Sequence, residues 1–235
     1  MPAAKLFPAG IKLVHSPEHA AVDIVFVHGL TGDRERTWTA RGAHEPWPKT
    51  LLPPELPTAR ILTFGYDANV IDWRGLGPRS RIGDHSWNLL SSLATYRDHD
   101  DANGRPIIFV CNGFGGLVCK DFHAMVCAKE KEDQGRIEIT CFFAELPFPV
   151  IGPGVPHSSA VLPEHIQIGI HKNQRDIARF VSADDPGFTA VCGELRRWMK
   201  QIGVQGTRGL RRRKSAPAVV SPPPLPGLTR RTKSL

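Results

Sequence analysis

The segment PIIFVCNGFGGLVCK, residues 106–120, restricts the fold more than any other part of the sequence. Its apolar run at 107–110 predicts a buried strand. Asn112, Gly113, Phe114, Gly115 and Gly116 then predict a tight turn, and Leu117 and Val118 the apolar start of a helix. Three glycines supply the unusual dihedrals and close backbone approach that such an elbow needs. A strand passing through a sharp turn into a helix lifts the residue at the turn above the sheet edge, where a nucleophile is often held. In this chain that residue is Gly113, which has no side chain.

The rest of the chain supplies partners for that strand. Residues 11–15, 22–27, 59–64, 137–143 and 166–170 are strand candidates, and VDIVFV at 22–27 reads as buried on both faces. Asp84 is placed to cap a helix through HSWNLLSSLATYRDH, with Trp87, Leu89, Leu90 and Leu93 at helical spacing for a core face. The helix after the elbow is expected to reach about residue 129, and a final helix starts at Asp185 with Pro186 in its first turn. WPKTLLPPELPTAR is too proline-rich for a long helix. Strands alternating with helices predict an α/β fold with a mostly parallel sheet and helices on both faces. Loops that follow the strand ends then gather on one edge, where ligands bind.

Charge divides the chain. Of 30 Lys and Arg residues, eight lie after Gly206 with no acid, which leaves 22 bases against 23 acids and a net charge of −1 for the remainder. The near-neutral body, 1–206, is expected to be the folded domain and is not expected to bind nucleic acid. Residues 207–235 are basic, rich in Pro and Ser, and expected to be disordered. Within them RRKSAP makes Ser215 a phosphorylation candidate, and PPPLPGLTRR resembles a ligand for SH3 domains. Readers of phosphopeptide or SH3 type are thus candidate partners, against the plainer reading of a solvated tail with weak affinity for anionic surfaces.

The five cysteines sit in apolar runs without a Cys-x-x-Cys pair. They read as free buried thiols of a reducing compartment, and no metal or cofactor is expected. GFGG lacks the Lys-Ser/Thr of a phosphate-binding loop. No secretory signal and no run of about 18 apolar residues is found, so an intracellular, cytoplasmic protein without a transmembrane segment is expected.

Four blocks in order, VDIVFVHGLTGDRERTW, WPKTLLPPELPTARILTFGYDANV, RPIIFVCNGFGGLVCK and DDPGFTAVCGELRRW, resemble the serine esterase and lipase family of the α/β-hydrolase superfamily. That group includes serine-active-site-containing proteins and hydrolase modules of fungal NACHT-type proteins. The resemblance implies an α/β-hydrolase fold and ester hydrolysis by a serine triad, with mitochondrial or endoplasmic-reticulum association in some relatives. It places an oxyanion hole at the main-chain N–H groups of Leu30 (or Thr31) and Phe114.

The chain departs from that family at the chemistry. The elbow of the family reads His-Ser-Leu-Gly-Gly, so Gly113 occupies the nucleophile position. The late Asn-His-x-Asp block of the family corresponds to Asn173, Gln174, Arg175 and Asp176, so Gln174 stands where the histidine would be. Glutamine cannot take up and return a proton near neutral pH. Glu145, in CFFAELP, is the remaining candidate acid. The family's Thr-Pro-His-x-Gly-Ser segment is missing between Cys127 and Ile137, which predicts the loss of one interior strand and of the lid region.

A catalytically inactive binding, regulatory or relic module is therefore expected. The alternatives are a weak ester hydrolase with a non-standard nucleophile, drawn from Cys111, Ser158 or Ser159, and recruitment to a partner or membrane surface through the basic tail. Cys111 reads as packed in the core, which would make it inert. Ser158 and Ser159 flank His157 in sequence only. His171, three residues before Gln174, reads as a surface residue, and His28 as structural.

Overall fold

A computed structural model describes residues 8–68, 78–129, 138–146, 162 and 164–214. Ser158, Ser159 and Ser215 lie outside them. By packing, residues 1–199 form one compact unit and residues 200–235 another.

The main sheet of the first unit has four strands: β1 (Gly10–His15), β2 (Val22–Val27), β3 (Ala59–Gly65) and β4 (Ile107–Cys111), in the spatial order β1-β3-β2-β4. β2 runs parallel to both neighbours, with Ile24 opposite Ile61 and Ile108, whereas β1 is antiparallel to β3. Every residue of β2 and β3 is buried, as expected of a strand covered on both faces. Successive side chains alternate across the sheet. On one face Val25, Val27, Leu62 and Phe64 join Leu89 and Leu93 of α3 (Pro78–His99) and Val118 and Phe122 of α4 (Phe114–Lys129). Ser86 fastens these helices together, its one hydroxyl proton shared between Ile82 O at 2.8 Å and Val118 O at 2.9 Å.

On the other face Phe26 meets Trp38 and Trp47 edge-on, with ring centroids 5.0 and 5.3 Å away. Trp47 begins the short helix α1 (Trp47–Thr50), which is followed at once by α2 (Leu52–Glu55). Prolines break the region into these single turns, as the sequence predicts. Trp47 also touches Phe180 and Phe188, and its indole N–H donates to Ala178 O at 2.9 Å. This one side chain thereby ties the main sheet to the C-terminal part of the unit.

That part holds a separate parallel pair, β5 (Thr140–Leu146) and β6 (Ile166–Asn173). Among the described residues no strand joins β4 to β5. Helix α5 (Pro186–Lys214) follows, its start set by Asp185, whose Oδ1 accepts the Gly187 N–H at 2.9 Å.

Four expectations need correction. β5 begins at Thr140 and runs to Leu146, later than the predicted 137–143, because β6 pairs with this stretch and not an earlier one. α3 begins at Pro78, so Asp84 lies inside the helix and does not cap it. Trp87 is 52% exposed. Leu89 and Leu93, four apart, define the core stripe, and a residue two positions from Leu89 points away from it. The run at 107–110, expected as a buried strand, is only half-buried apart from Ile108, and β4 is the last strand of its sheet among the described residues.

At the amino ends of the parallel strands, Asp23 is fully buried. Arg60 Nε and Nη2 grip its two oxygens at 2.8 and 2.9 Å, Arg97 Nη1 lies at 2.9 Å and Arg105 Nη1 at 3.0 Å. Arg97 also donates to the carbonyls of Ala102 and Asn103. One carboxylate thus joins β2, β3, α3 and the approach to β4. Removing one partner of a buried ion cluster leaves uncompensated charge, at a cost of about 3–5 kcal/mol. Asp23→Ala is accordingly expected to lose that much stability in urea unfolding, whereas the same change at the exposed Asp98 should cost little.

Candidate active site

The elbow forms where β4 meets α4. Asn112 N–H donates to Val27 O at 2.9 Å, extending the ladder by one residue. The chain then reverses at Gly113, whose φ is +49°. Gly115 N–H donates to Asn112 O and Gly116 N–H to Gly113 O, each at 3.0 Å, and Phe114 opens the helix. Two of these glycines serve different ends. A Cβ on Gly113 would meet nothing within 4 Å, so only the left-handed dihedral favours glycine there. A Cβ on Gly115 would lie 2.5 Å from Val27 O and 2.6 Å from His28 O, so the approach of α4 to the end of β2 requires that no side chain intervene.

The loop after β2 lies against this turn. His28 is fully buried, with its ring stacked on Tyr66 at 4.3 Å. Its Nδ1 donates to Gly29 O at 2.9 Å, which leaves Nε2 to accept the Tyr66 N–H at 3.3 Å. Tyr66 Oη donates to His28 O at 2.6 Å. Burial pushes the pKa of His28 below its ordinary 6.5, so the ring is neutral, and burial pushes the Tyr66 hydroxyl up. Thr31, a β-branched residue, has φ +57°. Its N–H donates to Ala68 O at 3.2 Å, whereas Leu30 N–H finds no acceptor among the described residues. Of the two donors that the sequence offers here, Thr31 is thus engaged and Leu30 is not.

Glu145 lies on β5, its carboxylate resting across Gly169 of β6, and its Oε2 is 3.3 Å from His171 Nδ1. The structure therefore brings the candidate acid to His171, near the surface of the two-stranded sheet. Asn173 turns the chain after β6, its Oδ1 accepting the N–H groups of Arg175 at 2.9 Å and Asp176 at 3.1 Å. Gln174 sits exposed on that turn. No hydrogen bond or ion pair among the described residues connects Glu145, His171 or Gln174 to Gly113.

Two further placements were not legible in the sequence. Cys111 is exposed at the end of β4, contrary to the expectation of a core thiol, and among the described residues no strand lies beyond β4 there. Cys127 and Cys141 are also only partly covered, and Cys119 and Cys192 alone are buried. Burial pushes the Cys119 thiol up, and Cys111 beside it adds to that. His85, on α3, stands 4.6 Å from the Tyr66 ring and 6.4 Å from the Phe114 ring, beside the elbow. Inside a helix of mixed residues it carried no motif that would single it out.

This elbow, and the glycine loop packed on it, accompany a sequence pattern of the alpha/beta hydrolase family that matches residues 24–232. The chain belongs to that family. It is also similar to protein SERAC1 of mouse, 32% identical over 115 residues, and of human, 30% identical over 115 residues. The zebrafish protein SERAC1 is 32% identical over 118 residues. Each match covers 42% of this chain and 17% of the relative, so the chain corresponds to under one-fifth of those proteins. No solved structure matches it. No helix among the described residues is long and apolar enough to cross a membrane, and no cluster of His, Cys, Asp and Glu among them could hold a metal ion.

Two measurements check this geometry. Gly113→Ser is expected to cost only the backbone strain of a left-handed residue, about 1–3 kcal/mol, and to leave the protein folded. Gly115→Ala should cost more, since carbonyl oxygens of β2 would have to move, and chemical unfolding of the two variants will rank them. The second concerns pH. A histidine buried neutral takes up a proton on unfolding, so its contribution is level above pH 6.5 and stability falls as pH drops from there toward the depressed folded value. The thermal midpoint should therefore fall between about pH 7 and about pH 5, and part of that slope should vanish in His28→Asn.

Proposed function

We propose that this chain is a catalytically inactive member of the alpha/beta hydrolase family, which retains the elbow of a serine esterase without its nucleophile. One observation carries the reading. The residue at the turn between β4 and α4 is Gly113, and the space where its side chain would project is open. The hydroxyl that would attack an ester is missing from a place otherwise shaped for it. Gln174, where the resemblance places the family's histidine, cannot relay a proton. The remaining acid, Glu145, is engaged with His171. Loss of a triad costs on the order of a million-fold in rate, and an oxyanion hole alone leaves on the order of a thousand-fold over water. Leu30 and Phe114 are the proposed remnant of that hole. A binding or regulatory role fits these residues better than turnover.

A specific observation favours one competing reading. Cys111 is exposed two residues before the elbow, so a thiol is available near the site. A hydrolase built on it would turn over a p-nitrophenyl ester, and the activity would disappear in Cys111→Ser.

Restoration distinguishes the readings. The native chain is expected to show no labelling by a fluorophosphonate probe and no ester turnover. The open space above the turn admits the hydroxyl of Gly113→Ser; with Gln174→His added, labelling is expected if the two positions meet in the folded protein, and silence of the folded double variant would show that they do not. Ester turnover by the native chain that is lost on Cys111→Ser would refute the inactive reading.

A further inference from the structure

The loops after β2 and β6 converge on an open cleft of about 590 Å³. Arg36, Thr39 and Arg41 line it from the first loop, and Arg175, Asp176 and Arg179 from the second. Four guanidinium groups therefore face one carboxylate, a formal charge of +3 in a body whose overall charge is near neutral. The loops are joined here by Arg179 Nη2 donating to Arg36 O at 3.4 Å, with Trp47 bound to Ala178 alongside.

The local carboxylates satisfy little of this charge. Asp33 lies 3.5 Å from Arg36 Nε, and Asp176 lies 3.6 Å from Arg179 Nη1. The side chains of Arg41 and Arg175 make no hydrogen bond or ion pair among the described residues. Arg179 Nε is buried without a hydrogen-bond partner, although a buried donor ordinarily has one. Like charges held together on two loops repel, and an anion between them turns that cost into attraction. Guanidinium is suited to this, since its planar fork pairs two donors with two oxygens of a phosphate. Thr39 adds a hydroxyl whose proton goes to Glu35 O at 2.8 Å, which leaves its lone pairs facing other donors, not an anion. The binding energy would therefore come from the arginines.

We infer that this cleft is a site for a phosphate-bearing anion of two or more charges, held by Arg36, Arg41, Arg175 and Arg179. It lies at the carboxyl-end loops of the strands, where α/β proteins bind ligands. The inference is independent of whether the elbow is active. It asks the loop that carries Gln174 to bind charge through its neighbours Arg175 and Arg179 and not to move a proton.

The phosphate could be free in solution or displayed on a membrane, so the test has two arms with the full chain. Pyrophosphate is titrated by calorimetry in one, and vesicles with and without phosphatidic acid are sedimented in the other. Arg41→Ser with Arg175→Ser removes the two arginines whose side chains make no hydrogen bond or ion pair among the described residues, so the fold and the melting temperature without ligand should be unchanged. Affinity is expected to fall about tenfold or more per arginine removed, and to weaken as salt rises. Binding of pyrophosphate that the double variant loses supports a soluble ligand, and loss confined to the vesicles supports a headgroup. The eight basic residues after Gly206 are the same in both proteins. Equal binding by native chain and double variant would trace it to the tail and overturn the inference, as would no binding of either probe at low salt.

Discussion

The contact between the first turn of α4 and the last carbonyls of β2 governs the arrangement of the candidate site. Gly115 lets the helix lie directly on Val27 and His28, and Asn112 continues the β4 ladder into that contact. The position of the turn at Gly113, the course of the HGLTGD loop and the stacking of His28 on Tyr66 all follow from this approach. The hydrogen bonds around His28 leave the imidazole a single tautomer, with one nitrogen donating and the other accepting. The ring is thus committed to holding the loop and has no capacity to relay a proton. At the opposite end of the strands, the carboxylate of Asp23 performs a comparable task, as it gathers three arginines from separate segments.

Local signals were read well where spacing or glycine content decides the outcome. The elbow, the fully buried β2, and the Asp185 cap are each written in a few adjacent residues. Signals that depend on distant partners were not legible. Asp23 sits in a run of valine, isoleucine and phenylalanine, and nothing nearby announces that Arg60, Arg97 and Arg105 will converge on it. Cys111 looked like a core residue because its neighbours are apolar, but its exposure depends on which strand lies beside β4. The arginine-lined cleft joins loops separated by more than a hundred positions, so the two short basic stretches gave no hint of meeting. Trp87 differs for a simpler reason, since an apolar residue near a helical stripe need not belong to it.

The family pattern and the two separate sheets fit together. A sheet in which the elbow strand and the strand of Glu145 were joined would bring the acid toward the turn. Here β5 pairs only with β6 among the described residues, and the carboxylate rests beside His171 instead. The stretch between β4 and β5 in sequence includes residues 130–137, which lie outside the described residues.

The aromatic junction at Trp47 has a consequence for how the unit comes apart. Ladders hold strands through directional bonds at fixed intervals, whereas rings adhere through area and shape. Among the described residues the two sheets share no ladder, and rings together with bonds such as Trp47 to Ala178 and Arg179 to Arg36 join them, so they can part without breaking any strand-to-strand hydrogen bond in either. A fault line thus runs through the indole of Trp47, and partial opening along it would release the C-terminal pair with its helix while the elbow stayed folded.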